Sequence, residues 1–156
     1  MRVAATIAPL ALLATSCGGK ADPYAKSLAM GSEHVEITAD VSLGKKHQHI
    51  TGSGDFTNAP DRGHYTFVLG RTTHHQVFAN GRLYIDVDGE WMSAKVSSHS
   101  PQTPATMFRA HLPAKVEGGL IRSITVHDGI GGVANYVFSK YGEHVSVTVP
   151  RVKGSK

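Results

Sequence analysis

Glu33-His-Val-Glu-Ile-Thr-Ala-Asp-Val-Ser-Leu43 decides the fold. Val35, Ile37, Ala39, Val41 and Leu43 alternate with His34, Glu36, Thr38, Asp40 and Ser42. Successive side chains of a strand point to opposite faces, so this stretch predicts a strand with one apolar, covered face and one polar face. Gly44-Lys45 turns the chain into a second strand, Lys46 to Phe56, where Gly52 and Gly54 mark a bulge or a sharp bend.

The same pattern recurs downstream. Asn58 to Gly63 has turn composition, and His64 to Gly70 alternates with Tyr65, Phe67 and Leu69 on one face. Thr73 to Ala79 and Arg82 to Val87 flank Asn80-Gly81, a hairpin turn that needs two residues tolerant of positive φ. Leu83, Ile85 and Val87 share a side, and Asp88-Gly89 leads on to Trp91 and Val96. After the polar stretch Ser97 to Thr103, strands are expected at Leu120–His127, Val133–Ser139 and Val145–Val149, with Pro150 as the stop. Glycine-rich Asp128 to Gly132 turns between the first two of these. Two short helices are expected where a capping residue precedes proline: Asp22-Pro23 into Tyr24–Met30, and Thr103-Pro104 into Ala105–Leu112.

This is a mainly β chain: eight strands in meander order, antiparallel, with two helices as the cover for one face. Such a sheet is expected to curl into a half-barrel, with a crevice between sheet and helices.

The chain has 156 residues, with 18% charged and 40% hydrophobic, which fits one globular domain. Val3 to Leu13 is apolar but too short for a spanning helix, which needs ~20 residues. It follows Arg2 and ends in small residues, the layout of an export signal. The only cysteine, Cys17, comes directly after it. Leu13-Ala-Thr-Ser-Cys17 resembles a bacterial lipobox, whose cysteine takes a diacylglyceryl group and becomes the first residue after cleavage. The expected organisation is a signal peptide at 1–16, an acylated cysteine and tether at 17–21, a domain at 22–150 and a loose tail at 151–156. Two acyl chains suffice for a stable anchor. Losing Arg2 with the signal lowers the formal charge from +4 to +3, and the cations are scattered, so nucleic acid is not an expected partner.

The order of these segments carries a resemblance. The short helix ends in Ala29-Met30, and Ser32 to Thr38 follows. Next come Gly52-Ser-Gly-Asp55, Asn80-Gly-Arg-Leu-Tyr-Ile85 and Gly89-Glu-Trp91. The chain closes on Phe138-Ser-Lys-Tyr-Gly142 and Val145-Ser-Val-Thr-Val-Pro150. This order resembles the LppX/LprG-type lipoproteins of actinobacteria, relatives of the periplasmic carrier LolA. The resemblance implies a curved antiparallel sheet, helices on its concave side, and a hollow that holds acylated lipid. The segment Ser97–Gly119 is shorter than in that family, so a smaller cover and a smaller hollow are expected. The lining expected for it is Leu28, Ile37, Ala39, Val41, Tyr65, Phe67, Leu69, Leu83, Ile85, Trp91, Met107, Phe108 and Leu112.

Other chemistry ranks lower. The chain has ten histidines; His47 and His49 would share a strand face and His74 and His75 would oppose each other, but no third ligand stands at a metal-like spacing. Asp86 and Asp88 read as a polar strand end beside a turn rather than as paired acids. Gly52-Ser53-Gly54 lacks the spacing of a nucleophile elbow, and Gly129 to Gly132 leads into a strand rather than a helix. The first expectation is therefore a non-enzymatic lipoprotein on the outer face of the cytoplasmic membrane, binding or carrying an acyl lipid, without cofactor or metal. The second is a lipid-tethered interaction module with a filled core and an envelope protein as partner. Metal binding through histidine is third.

Overall fold

The computed structural model describes residues 21–43, 46–96, 103–127 and 132–152. The expected signal peptide, Cys17, the Gly44-Lys45 turn and the tail from 153 lie outside these residues, as do most of the 97–103 and 128–132 turns. Two helices, α1 (Pro23–Ala29) and α2 (Pro104–Arg109), join nine strands: β1 (Ser32–Leu43), β2 (Lys46–Asn58), β3 (Asp61–Leu69), β4 (Thr72–Ala79), β5 (Arg82–Val87), β6 (Glu90–Lys95), β7 (Ala114–Glu117), β8 (Leu120–His127) and β9 (Val133–Ser139). They form one antiparallel sheet in the order β6-β5-β4-β3-β2-β1-β9-β8-β7. Two meanders therefore meet where β9 pairs with β1, with Val35 opposite Phe138 and Ala39 opposite Ala134. No helix among the described residues is long and apolar enough to cross a membrane.

Mainly β architecture, two capped helices and hairpin connections match the sequence expectation. Asn80 and Gly81 both take positive φ (56° and 69°), as do Asp88 and Gly89 (53° and 83°). These are the backbone conformations that two-residue hairpin turns require.

Three expectations need correction. The β1–β2 register runs unbroken from Ser32 opposite Thr57 to Leu43 opposite Lys46, so Gly52 and Gly54 mark no bulge. They are glycines because Phe67 and Tyr65 of β3 lie against them. A Cβ on Gly52 would stand 2.7 Å from the Phe67 Cβ, and one on Gly54 would stand 2.8 Å from the Tyr65 ring and collide with the His64 carbonyl.

Second, Val145–Val149 is not a strand of the sheet. β9 already has β1 on one side and β8 on the other, so no ladder is open to the chain that follows it. The chain turns at Tyr141-Gly142 and crosses to the sheet's outer face. There Val147, Val149 and Val152 pack on Val77, Ala79, Tyr84 and Trp91. The alternation is genuine, but it buries one side of a segment rather than half of a strand.

Third, the sheet has nine strands where eight are expected, and one of them, β7, only four residues long, lies where the sequence reading places no strand. It pairs with β8 through a register shift that skips Arg122. The shift lets Ile121 and Ile124, three apart, both become fully buried.

The helices cover part of the inner face. Met107, Phe108, Phe138, Val35, Phe56, Ile121 and Ile124 form the filled core there, with the Phe108 and Phe138 rings 5.0 Å apart. α1 is held to β8 because the buried Ser27 hydroxyl accepts from the Ile121 amide at 2.9 Å. The Tyr24 hydroxyl donates to the Leu112 carbonyl at 2.6 Å, tying α1 to the chain after α2. α2 is anchored over the β2–β3 turn: the Thr103 hydroxyl donates to Asp61 at 2.9 Å, and the Arg109 guanidinium donates to the Asn58 carbonyl at 3.1 Å.

Candidate functional site

Strand registers fix which side chains share the inner face. Ile37, Gly52 and Phe67 lie in one cross-strand row, and Ala39 lies between Ile50 and Ala134. Beyond the reach of the two helices these rows stay open. A hollow of about 310 Å³ remains, walled by Ile37, Ala39, Ile50, Tyr65, Phe67, Gln76, Phe78, Leu83, Ala134 and Tyr136. Its floor is open because Gly52, Ala39 and Ala134 carry little or no side chain. That volume is at the small end for ligand pockets, which run from roughly 300 to 1,000 Å³. No charged residue stands on this wall among the described residues.

The expected lining divides into three groups. Ile37, Ala39, Tyr65, Phe67 and Leu83 meet in the hollow. Leu28, Met107, Phe108 and Leu112 belong to the filled core under the helices, where Met107 and Phe108 are completely buried. Val41, Leu69 and Ile85 share the inner face by register but stand outside the hollow's wall. Trp91 faces the other way: it pairs with Asp86 and packs with the C-terminal segment on the outer face.

Sequence reasoning missed Ile50, Gln76, Phe78, Ala134 and Tyr136. Parity alone would have found Ile50, which shares its face with Gly52, Gly54 and Phe56, and also Ala134 and Tyr136, which share theirs with Phe138. Phe78 sits between two other apolar residues, Val77 and Ala79, so alternation is silent there.

A polar seam runs along the boundary between filled core and sheet. Glu33 is fully buried and accepts from the Asn58 amide at 2.9 Å, while its second oxygen has no partner. Burial pushes its carboxyl up to about 8, against the restraining Asn58 bond, so it is protonated at neutral pH. Burial also raises Asp61, although the Thr103 hydroxyl and Arg109 oppose this. The Tyr65 hydroxyl is buried without a partner. Burial, then the neighbouring Tyr136 and Glu33, keep it un-ionised well above its ordinary range.

The outer face carries a second, polar cleft of about 340 Å³ between the sheet and the segment 143–146. His34, Asp55 and His64 stand in one row across β1, β2 and β3. The Asp55 carboxylate lies 2.6 Å from the His34 Nδ1 and 3.5 Å from the His64 Nε2. His49 pairs with Asp40 and His47 with Ser42, both on exposed surface. Among the described residues no group of three His, Cys, Asp or Glu side chains is placed to hold a metal ion. Asp86 caps its own turn by accepting from the Gly89 amide at 2.8 Å, which accounts for it without catalysis.

No protein-family profile matches the chain, and no curated protein matches it. Among solved structures it is similar to the crystal structure of LprF from Mycobacterium bovis, an LppX/LprG-type lipoprotein. The TM-score is 0.46 and the identity 13%, over 83% of this chain and 93% of that one.

Proposed function

We propose that this protein is a non-enzymatic, membrane-tethered envelope lipoprotein that binds or carries an acyl lipid in the hollow on its inner face. The carrying observation is the hollow itself: about 310 Å³, apolar-walled, next to a core that is otherwise filled. Burying apolar area at ~25 cal/mol per Å² drives binding there without any reaction. The diacylglyceryl anchor on Cys17 holds the domain at the outer face of the cytoplasmic membrane.

Native mass spectrometry of the unacylated domain, extracted gently from its own host, tests the cargo. A single acyl lipid bound to the parent and lost in Ala134→Phe is the expected result. A folded parent that carries no lipid and takes up no apolar dye overturns it. The anchor is tested separately: Cys17→Ser moves the protein to the soluble fraction, and retention after a carbonate wash would refute acylation.

One observation favours the second reading, an interaction module. β6 is an edge strand, and Met92 on it is 56% exposed. Edge strands accept a partner's strand in other proteins.

A further inference from the structure

We infer that the hollow takes a single alkyl chain head first, its head a small uncharged group that both donates and accepts hydrogen bonds and is held by Gln76 and Tyr136. This rests on the lipid-binding reading of the hollow and names the class of lipid and its direction.

Tyr65, Gln76 and Tyr136 are the wall residues with polar side chains among the described residues. The Tyr65 hydroxyl is sealed inside the protein and offers nothing to the hollow. Gln76 and Tyr136 differ from it. Both are half-buried, neither has a hydrogen-bond partner among the described residues, and neither belongs to the polar atoms shut off from the surface. A carboxamide both donates and accepts, as does a phenol hydroxyl. A chain that covered them with methylene groups alone would strip them of water and give nothing back. A methyl ester, which only accepts, satisfies the Gln76 amide hydrogens and leaves its carbonyl bare. An alcohol or primary amide satisfies both.

Position sets the direction. Strand register puts Gln76 opposite Tyr65, in the row that runs through Gly54 to Val35, where the filled core begins. Tyr136 stands opposite Ile37, one row further out. Its side chain reaches back far enough to help hold the Tyr65 hydroxyl un-ionised, so both accessible polar groups belong to the inner end of the hollow. The next row toward the open end offers only Ala39, Ile50 and Ala134. A head held at the inner end must pass through a hollow of about 310 Å³ to reach it, so it is small.

The head is uncharged because no charged residue stands on the wall among the described residues. His74 shares the inner face of β4 with Gln76, but it stacks on Phe67 at 5.1 Å, and Phe67 rather than His74 forms the wall. Burial keeps Tyr136 un-ionised. A carboxylate or phosphate at the inner end would lose its water without a counter-charge, which is far more costly than burying a neutral oxygen.

Displacement of the neutral dye N-phenyl-1-naphthylamine tests this at pH 7, where Glu33 keeps its proton. The competitors are decanol, methyl decanoate, sodium decanoate and decyl maltoside. The parent is expected to bind decanol at least about tenfold more tightly than decanoate or than decyl maltoside, whose neutral head is too large to enter. Comparing variants cancels the ligands' own differences in hydrophobicity. The ratio of decanol to methyl decanoate affinity should fall roughly three- to tenfold from the parent to Gln76→Leu, the range of one hydrogen bond, and Tyr136→Phe should weaken decanol by a similar factor. Both variants remove groups that have no partner in the protein, so they keep the parent's melting temperature and dye affinity. If decanol binds the parent and both variants equally well, or if decyl maltoside competes as strongly as decanol, the inference is wrong while lipid binding stands. It is equally wrong if decanoate competes as strongly as decanol, and His74→Gln then reports whether that histidine holds the anion. If the folded parent binds neither dye nor any competitor, the lipid-binding reading itself fails.

Discussion

Glu33 makes this fold lose stability as pH rises from about 4.5 to about 8, and Glu33→Gln should remove that loss. The side chain is on the inner face because it keeps the parity of Val35, opposite Phe56. It is fully buried, with one hydrogen bond from Asn58 and one oxygen unpartnered. Its carboxyl rises from an ordinary 4.5 to about 8, chiefly through burial. Between these two values the unfolded chain has released the proton and the folded chain still holds it. The unfolded state then binds fewer protons, so stability falls as pH rises. The contribution is complete below about pH 4.5, declines through the window and is gone above about pH 8. At ~1.4 kcal/mol per pH unit, the ceiling is about 4–5 kcal/mol, with about 3 already lost at pH 7.

Glutamine is neutral throughout and keeps an oxygen for Asn58. Urea unfolding at a series of pH values reads the difference directly. Parent and Glu33→Gln should agree within about 1 kcal/mol near pH 4.5 and diverge to about 3 kcal/mol near pH 7, with the variant more stable. Asp61 is also raised and adds a slope of the same sign, but it is present in both proteins and cancels in the comparison. Parallel pH profiles for the two proteins would show that Glu33 is ionised in the fold, and the account of a buried neutral carboxyl would be wrong.

Three further outcomes follow from the packing. Ser27→Ala leaves the buried Ile121 amide without its acceptor and should cost about 1–3 kcal/mol in denaturant unfolding. Phe108→Trp enlarges a side chain that is completely buried against Phe138, so it should cost about 1–3 kcal/mol, and lipid or dye uptake measured in the folded fraction should not change. Val35→Asp places an unpaired charge at a fully buried position and should unfold the domain by circular dichroism, whereas the exposed Asp40→Val should cost no more than about 0.5 kcal/mol. Equal tolerance of these last two would overturn the assignment of faces.

Where one residue's environment comes from its own neighbours, the sequence was readable. The alternation of β1, the Asn80-Gly81 and Asp88-Gly89 turns and both proline-started helices needed nothing beyond adjacent residues. Helix ends were less legible: α2 stops at Arg109, short of Leu112, because His111 takes a φ of +50°. What depended on distant partners was hidden. Nothing in Val133–Ser139 says that it lies beside β1, and only that pairing explains why Val145–Val149 has no ladder left. Trp91 was assigned to the hollow because a tryptophan beside apolar strands has no marked side. Its face depends on a segment some sixty residues later folding over it. Glu33 reads as the polar start of an amphipathic strand, although parity already places it inside.

Filled core and hollow have the same composition, and the distinction between them comes from how far the cover reaches. Each helix is tied down at one end of the sheet: α1 through Ser27 to β8, α2 through Thr103 and Arg109 to the β2–β3 turn. With only seven and six residues, at ~1.5 Å per residue, each spans about 10 Å. β1 and β2 are twelve and thirteen residues long at ~3.3 Å each, about four times that length. The helices therefore close the end of the face that holds Phe108, Val35 and Phe56 and cannot reach the rows of Ile37 and Ala39. A sheet meant only to be a core would have large side chains in those uncovered rows. Here Gly52, Ala39 and Ala134 interrupt the larger Ile37, Phe67, Ile50 and Tyr136, which leaves the floor of the hollow open. On the lipid-binding reading proposed above, lengthening α2 by two turns over these rows should abolish binding while adding stability.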